Sequence, residues 1–381
     1  MYFLTKEDPE YSIKGSRDPL GFQVIWQNAG RKLIPNLSTV SNNIVDFQIL
    51  CLAHALKTEL IISDKHFEKF FLAFEQMMAY VRFQSAPSFG FNGVDKVRKI
   101  MNGNLKEVSV SAASKYQLLS NQKSYGIWGK YNSPFSKIGI TNKPQFSTIF
   151  NTKIKDNQSF YNQVKFIAKK TNEEVSKLAL YKLEDWVTVI EKPNKEEIEL
   201  FIELLLNDTC DNELLGLVDE DLIFERGNLF SFLEQSIAKS NNPKFKSILS
   251  YIINIEKTIC PLNRIFRYLQ TKSFWKKEDL QNDVWIKKWR NEIITDGFEE
   301  ATKSLALLHL GDNYDLVVGL VKRNEFVCTN RNSAAWMQLT DKGIEVNHFD
   351  GGFINENYEP AIHNDFSYFL DSFFSLYKQL N

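Results

Sequence analysis

Two stretches of the chain interleave aromatic rings with cations. Gln122-Lys-Ser-Tyr-Gly-Ile-Trp-Gly-Lys-Tyr131 places Tyr125, Trp128 and Tyr131 among Lys123 and Lys130. Trp275-Lys-Lys277 and Trp285-Ile-Lys-Lys-Trp-Arg290 place three tryptophans among five basic residues. Nucleic-acid binding needs this combination, because Lys and Arg neutralise phosphates while rings stack on bases. The competing reading of the second stretch is a helix with Trp285 and Trp289, four apart, in the core and Lys287, Lys288 and Arg290 in water.

Other chemistries lack their residue patterns. No G-x-x-x-x-G-K-[ST] or G-x-G-x-x-G cradle for phosphates is present, and Gly126-Ile-Trp-Gly129-Lys130 lacks the spacing and the following Ser or Thr. The five histidines form no H-x-H or H-E-x-x-H. Cys51-Leu-Ala-His54 places two ligand types on one helical face, but zinc needs three or four, and core packing is the simpler reading. A G-x-S-x-G elbow is absent. Asp312, Asp315 and Glu325 border a strand-like stretch, yet Glu325-Phe-Val has no lysine two residues on, so a nuclease core is incomplete. The pairs His348/Asp350 and His363/Asp365 are the remaining carboxylate–imidazole candidates for a metal-dependent nuclease or other hydrolase. Neither a cofactor nor a metal is expected.

The elements that must position these residues are mainly helical. Apolar spacing predicts helices over Val45–Leu60, Lys65–Phe83, Ser111–Gln122, Phe160–Lys170, Leu229–Lys239, Phe245–Ile255, Leu262–Leu269, Trp285–Thr295 and Phe298–Leu310, with a last one at Asp365–Leu380. Asn194-Lys-Glu-Glu197 has the form of a capping box opening a helix to Leu206. Phe22–Trp26 reads as a short strand. Tyr314–Val321, Glu325–Thr329, Ala335–Leu339 and Ile344–His348 read as strands too, the last two joined by an Asp341-Lys-Gly343 turn. The expected fold is α+β and mostly α-helical, with a loop-rich N-terminal region, a helical middle and a small C-terminal β-containing part. Domain breaks are placed at 1–170, 171–295 and 296–381.

The formal net charge of the 381 residues is −1, which argues against a uniformly basic binder. It conceals alternating blocks. Residues 95–170 hold 14 basic and 3 acidic side chains, and residues 171–238 hold 5 and 17. Residues 239–290 hold 12 and 4, and residues 291–381 hold 6 and 14. Either neighbouring elements meet through opposite charges, or the basic blocks face phosphates and the acidic ones a protein partner or the basic site. Under the second reading Lys123, Lys130, Lys153, Lys155, Lys165, Lys169 and Lys170 are phosphate contacts, and Trp128 and Tyr131 are stacking or core groups. The four cysteines are far apart, as in a reducing compartment. No signal peptide and no span of about 20 apolar residues is seen, so a soluble cytoplasmic protein that does not enter a membrane is expected.

Asp18-Pro-Leu-Gly-Phe-Gln-Val-Ile-Trp26 and Ser120-Asn-Gln-Lys-Ser-Tyr-Gly-Ile-Trp-Gly-Lys-Tyr-Asn-Ser-Pro134 resemble segments of uncharacterised accessory proteins from bacterial anti-phage defence operons. The resemblance lies in the first third of the chain and assigns no catalytic residue. It implies a component of a multi-protein system that handles foreign DNA, with other subunits of the same operon as partners. The leading expectation is a non-catalytic, DNA- and partner-binding subunit. A hydrolase built on the residues above and a pure protein scaffold are the alternatives.

Overall fold

Helix-forming stretches of Leu, Ile, Phe, Lys and Glu dominate the chain. The structure, a computed structural model, describes residues 18–88, 90–103, 105–170, 174–207, 209–219, 222–225, 227–293, 305, 307–347 and 366–381. It is mostly helical with two small antiparallel sheets, so the α+β class holds. The chain divides into two compact units. One comprises Met1–Leu33 and Gly216–Tyr368, the other Ile34–Leu215 and Phe369–Asn381. Each unit joins segments distant in sequence, so this division cuts across breaks at 170 and 295.

In chain order the helices are α1 (Gln23–Leu33), α2 (Ile44–Glu59), α3 (Asp64–Ser85), α4 (Val94–Met101), α5 (Gln122–Tyr125), α6 (Ile127–Ile138), α7 (Pro144–Asp156), α8 (Gln158–Ala168), α9 (Leu183–Trp186) and α10 (Lys195–Leu205). They continue with α11 (Thr209–Asp219), α12 (Leu229–Lys239), α13 (Pro243–Leu269), α14 (Lys277–Gln281), α15 (Val284–Glu292), α16 (Asn313–Asn330) and α17 (Leu370–Leu380). The strands are β1 (Glu107–Val110), β2 (Ser176–Ala179), β3 (Phe274–Lys276), β4 (Met337–Thr340) and β5 (Gly343–Val346).

The unit around Ile34–Leu215 is built on α2 and α3. The Phe/Met stripe of α3 is buried along its length, from Phe67 through Met78 to Phe83. The α10 capping box forms as the sequence predicts. Asn194 accepts from the Glu197 amide, and Glu197 accepts from the Asn194 amide. β1 and β2 pair antiparallel, Val108 opposite Leu178. In the other unit α1 packs on α13, and β3, β5 and β4 form an antiparallel sheet in that order. The Asp341-Lys-Gly343 turn joins β4 to β5, with Gly343 at φ +150.

Several local expectations are overturned. Phe22–Trp26 is not a strand but the start of α1, since Asp18 accepts from the amides of Phe22 and Gln23 at its mouth. Ser111–Gln122 is not one helix. Only a 3-10 turn at Ser114–Tyr116 and the short α5 form there. Phe245–Ile255 and Leu262–Leu269 are one helix, α13, because Pro261 removes a single amide without stopping it. Tyr314–Val321 and Glu325–Thr329 are not strands but parts of α16. Its capping box, Asp312 with Asp315, outweighs the β-branched Val317, Val318 and Val321. The expected helix Phe298–Leu310 falls mostly outside the described residues, and Leu307–Leu310 is a 3-10 turn.

Candidate nucleic-acid interface

The expected contacts scatter when placed on the fold. Tyr131 is buried beside Phe47, with centroids 5.1 Å apart, and donates its hydroxyl to Asp46. Trp128 packs edge-on against Phe67 at 5.7 Å and tilted against Phe71 at 5.2 Å. Tyr131 is therefore a core group, while Trp128 is half-buried against α3. Gly126 and Gly129 of the same stretch serve packing. A Cβ at Gly126 would lie 2.5 Å from Glu75 Oε1, and one at Gly129 would clash with the Ser124 carbonyl.

The lysines are unequal as well. Lys153 is no phosphate contact, because its Nζ lies 2.5 Å from Glu197 Oε2 and Glu197 is fully buried. Lys123 pairs with Glu68 at 2.9 Å, Lys155 with Glu59 at 3.5 Å, and Lys130 donates to Asn92 at 2.8 Å. Lys143 of the basic block meets Glu203 of the acidic block at 2.5 Å. Part of the alternating charge is thus spent inside this unit, joining one block to the next.

Lys165, Lys169 and Lys170 remain together around the C-terminal end of α8. This helix forms because Asn157 caps it by accepting from the Phe160 amide, and because Phe160, Val164 and Ile167 repeat on one buried face. Phe160 packs edge-on against Phe74 and Trp186, and Trp186 Nε1 donates to Ser159 Oγ at 3.0 Å. The same repeat turns Lys165, Phe166 and Lys169 outward, with Phe166 47% exposed. Lys165 Nζ sits 4.5 Å over the Tyr161 ring and Lys170 Nζ 5.2 Å over Phe166. Gln163 Nε2 donates to the Lys177 carbonyl at 3.2 Å, which ties α8 to β2. Beyond β2 follow Tyr181, 79% exposed, and Lys182, whose Nζ is 6.0 Å from the Tyr181 ring centre.

Lys170 has Glu174 at 3.6 Å and Lys177 has Glu107 at 3.3 Å. Such exposed pairs are worth about 0–1 kcal/mol and are readily exchanged for a phosphate. Lys165, Lys169 and Lys182 have no carboxylate within ion-pair distance among the described residues. A basic, ring-bearing face thus exists where the sequence placed only lysines. Phe166 and Tyr181 were not singled out from sequence, although the Lys165-Phe166 and Tyr181-Lys182 neighbours were a legible signal.

Among the described residues, the carboxylates considered for a hydrolase do not converge. Asp312 Oδ1 accepts from the Asp315 amide and Asp315 Oδ2 from the Asp312 amide, so both carboxylates cap α16. Glu325 is about 15 Å further along that helix at 1.5 Å per residue. His348, Asp350, His363 and Asp365 lie outside the described residues. His54 stacks on Phe135 at 4.8 Å, and burial with a smaller effect of Lys57 pushes its pKa down to about 4. Among the described residues no group of three or more His, Cys, Asp and Glu could hold a metal ion.

The most perturbed carboxylates are also structural. Burial pushes Glu75 up to about 7, against the Ile127 amide and the Gln122 side chain that donate to it at 2.6 and 2.9 Å. Asp46, raised by burial, pairs with Arg82 at 2.6 Å. The cavity beside them is about 20 Å³, room for one water rather than a substrate.

In the unit around Gly216–Tyr368, the second aromatic–basic stretch splits. Trp289 is buried as the helical spacing predicts, but Trp285 is 42% exposed at a groove formed with α13. No helix among the described residues is long and apolar enough to cross a membrane. Comparison with protein-family models, curated proteins and solved structures finds no match to this chain.

Proposed function

We propose that the protein is a non-catalytic nucleic-acid-binding subunit of a bacterial anti-phage defence complex, acting in the cytoplasm beside other products of its operon. The observation that supports binding most directly is the outward face of α8, where Phe166 stands exposed among Lys165, Lys169 and Lys170. A ring between cations is the arrangement that single-stranded nucleic acid engages, base on ring and phosphate on ammonium. The defence setting is supported by the resemblance of Asp18–Trp26 and Ser120–Pro134 to accessory proteins of such operons.

Fluorescence anisotropy of labelled single- and double-stranded DNA, titrated with the protein across salt, tests the binding. Three lysine–phosphate contacts give a slope of log K against log salt of about −2 to −3. The triple variant K165Q/K169Q/K170Q flattens that slope, and F166A weakens the single strand more than the duplex. No binding at low salt, or binding indifferent to salt, removes the proposal.

A scaffold reading is supported by a different observation, the pairing of Lys143 with Glu203 and of Lys153 with Glu197 across the charge blocks. Under that reading the blocks serve protein contacts alone. Co-purification with operon partners that persists after nuclease treatment, combined with no DNA binding, would favour it.

A further inference from the structure

The groove between α13 and α15 lies wholly within the unit around Gly216–Tyr368, and its volume is about 490 Å³. That falls in the range of small-molecule sites, about 300–1,000 Å³. Trp285 forms one wall. Its ring stacks on Trp289 with centroids 5.7 Å apart and planes 25° off parallel. Trp289 is held in turn by Tyr268, edge-on at 5.6 Å. Asp283 caps α15 by accepting from the Trp285 and Ile286 amides, and it also accepts the Tyr268 hydroxyl at 2.9 Å. The platform is therefore fixed from behind, and Trp285 itself is 42% exposed.

The groove carries three cations, Lys257, Arg264 and Lys288, and two carboxylates, Glu256 and Glu292. Lys288 Nζ lies 5.4 Å from the Trp285 ring centre and Lys257 Nζ 5.8 Å from that of Phe230. Neither lysine has a carboxylate partner among the described residues. The groove's own carboxylates are committed: Glu256 accepts the Tyr368 hydroxyl at 2.7 Å, and Glu292 lies 3.6 Å from Arg264. Pro261, also on the groove, has no amide hydrogen, so the Lys257 carbonyl lacks its helical donor.

We propose that this groove binds a nucleotide unit, with its base stacked on Trp285 and its phosphate held by Lys257 and Lys288. A flat π-face and two ammonium groups without carboxylate partners match the face and charge of such a ligand. The same chemistry is offered by a free mononucleotide and by one residue of a single strand.

Tryptophan fluorescence of the full chain, titrated with AMP, adenosine and a short oligo(dA), tests this. Saturable quenching by AMP, with adenosine much weaker, supports the proposal and identifies a free nucleotide. Saturable quenching by oligo(dA) alone supports it and identifies a strand. In either case W285A lowers affinity about tenfold or more, the usual consequence of removing a stacking ring. K257Q/K288Q reduces both affinity and salt dependence. Trp285 and Lys288 are exposed and Lys257 is half-buried without a carboxylate partner, so thermal unfolding of both variants should stay close to the parent. If W285A unfolds, the lysine pair alone decides. No saturable change with any probe, or unchanged affinity in the folded variants, overturns the proposal. K165Q/K169Q/K170Q leaves AMP quenching unchanged, so failure of the α8 face and failure of the groove are distinguishable.

Discussion

Single residues of one type have opposite fates here, and the partner decides which. Lys153 and Lys169 both belong to the basic block, but Lys153 reaches the buried Glu197 while Lys169 stays in water. Removing one member of a buried pair strands the other charge, so K153A should cost about 3 kcal/mol or more of stability, read by denaturant unfolding. DNA affinity of its folded fraction should stay at the parent value. Glu75 gives a second test. Its folded pKa, about 7, stands above its ordinary value of 4.5. The unfolded chain therefore releases this proton first as pH rises, and the native state holds more protons between those values. Stability from this group is full below about 4.5 and declines by about 3 kcal/mol as pH rises to 7. Melting temperature followed from pH 4.5 to 8 should fall less in E75Q than in the parent. Equal pH profiles would show that the carboxyl is not held in its protonated form.

At the scale of elements, local signals marked the long helices such as α2, α3, α8 and α10, while α1 and α16 read as strands and α6 and α7 as loops. The α10 box, Asn194 with Glu197, was legible because both partners lie within one turn and need nothing else to form. The same logic applied to Asp312 and Asp315, but a valine-rich run with Gly319 behind them reads as strand. Burial of Leu316, Val317, Leu320 and Val321 on one face of α16 resolved the conflict. D312A removes both the cap acceptor and the interaction with Gln281, so it should lower stability by about 1 kcal/mol in denaturant unfolding. Pro261 likewise marks a break by the usual rule, yet α13 runs through it because Leu262, Ile265, Phe266 and Leu269 continue the buried face. Packing of a long apolar stripe outweighs one missing hydrogen bond.

For the molecule as a whole, the near-zero net charge is the outcome of blocks that partly neutralise one another inside the fold. Lys143 and Glu203 are far apart in sequence and in contact in space. If that pairing is the main role of the charge, added salt changes stability slightly and no DNA is bound. If the α8 face acts as proposed, the parent loses roughly fifteen- to sixtyfold in DNA affinity between 50 and 200 mM salt, the range for three contacts. Anisotropy at those two concentrations separates the outcomes. The sequence by itself determined the helical character, the α10 capping box, the β4–β5 turn and the absence of phosphate-loop and hydrolase motifs, because each depends on residues a few positions apart. Only the tertiary structure decided which cations remain available and which rings face water. Lys153 and Tyr131 are withdrawn by Glu197 and Asp46, whereas Phe166 and Trp285 are left at the surface. Those outcomes depend on contacts between distant segments, and burial and pairing energies exist only once such segments have met.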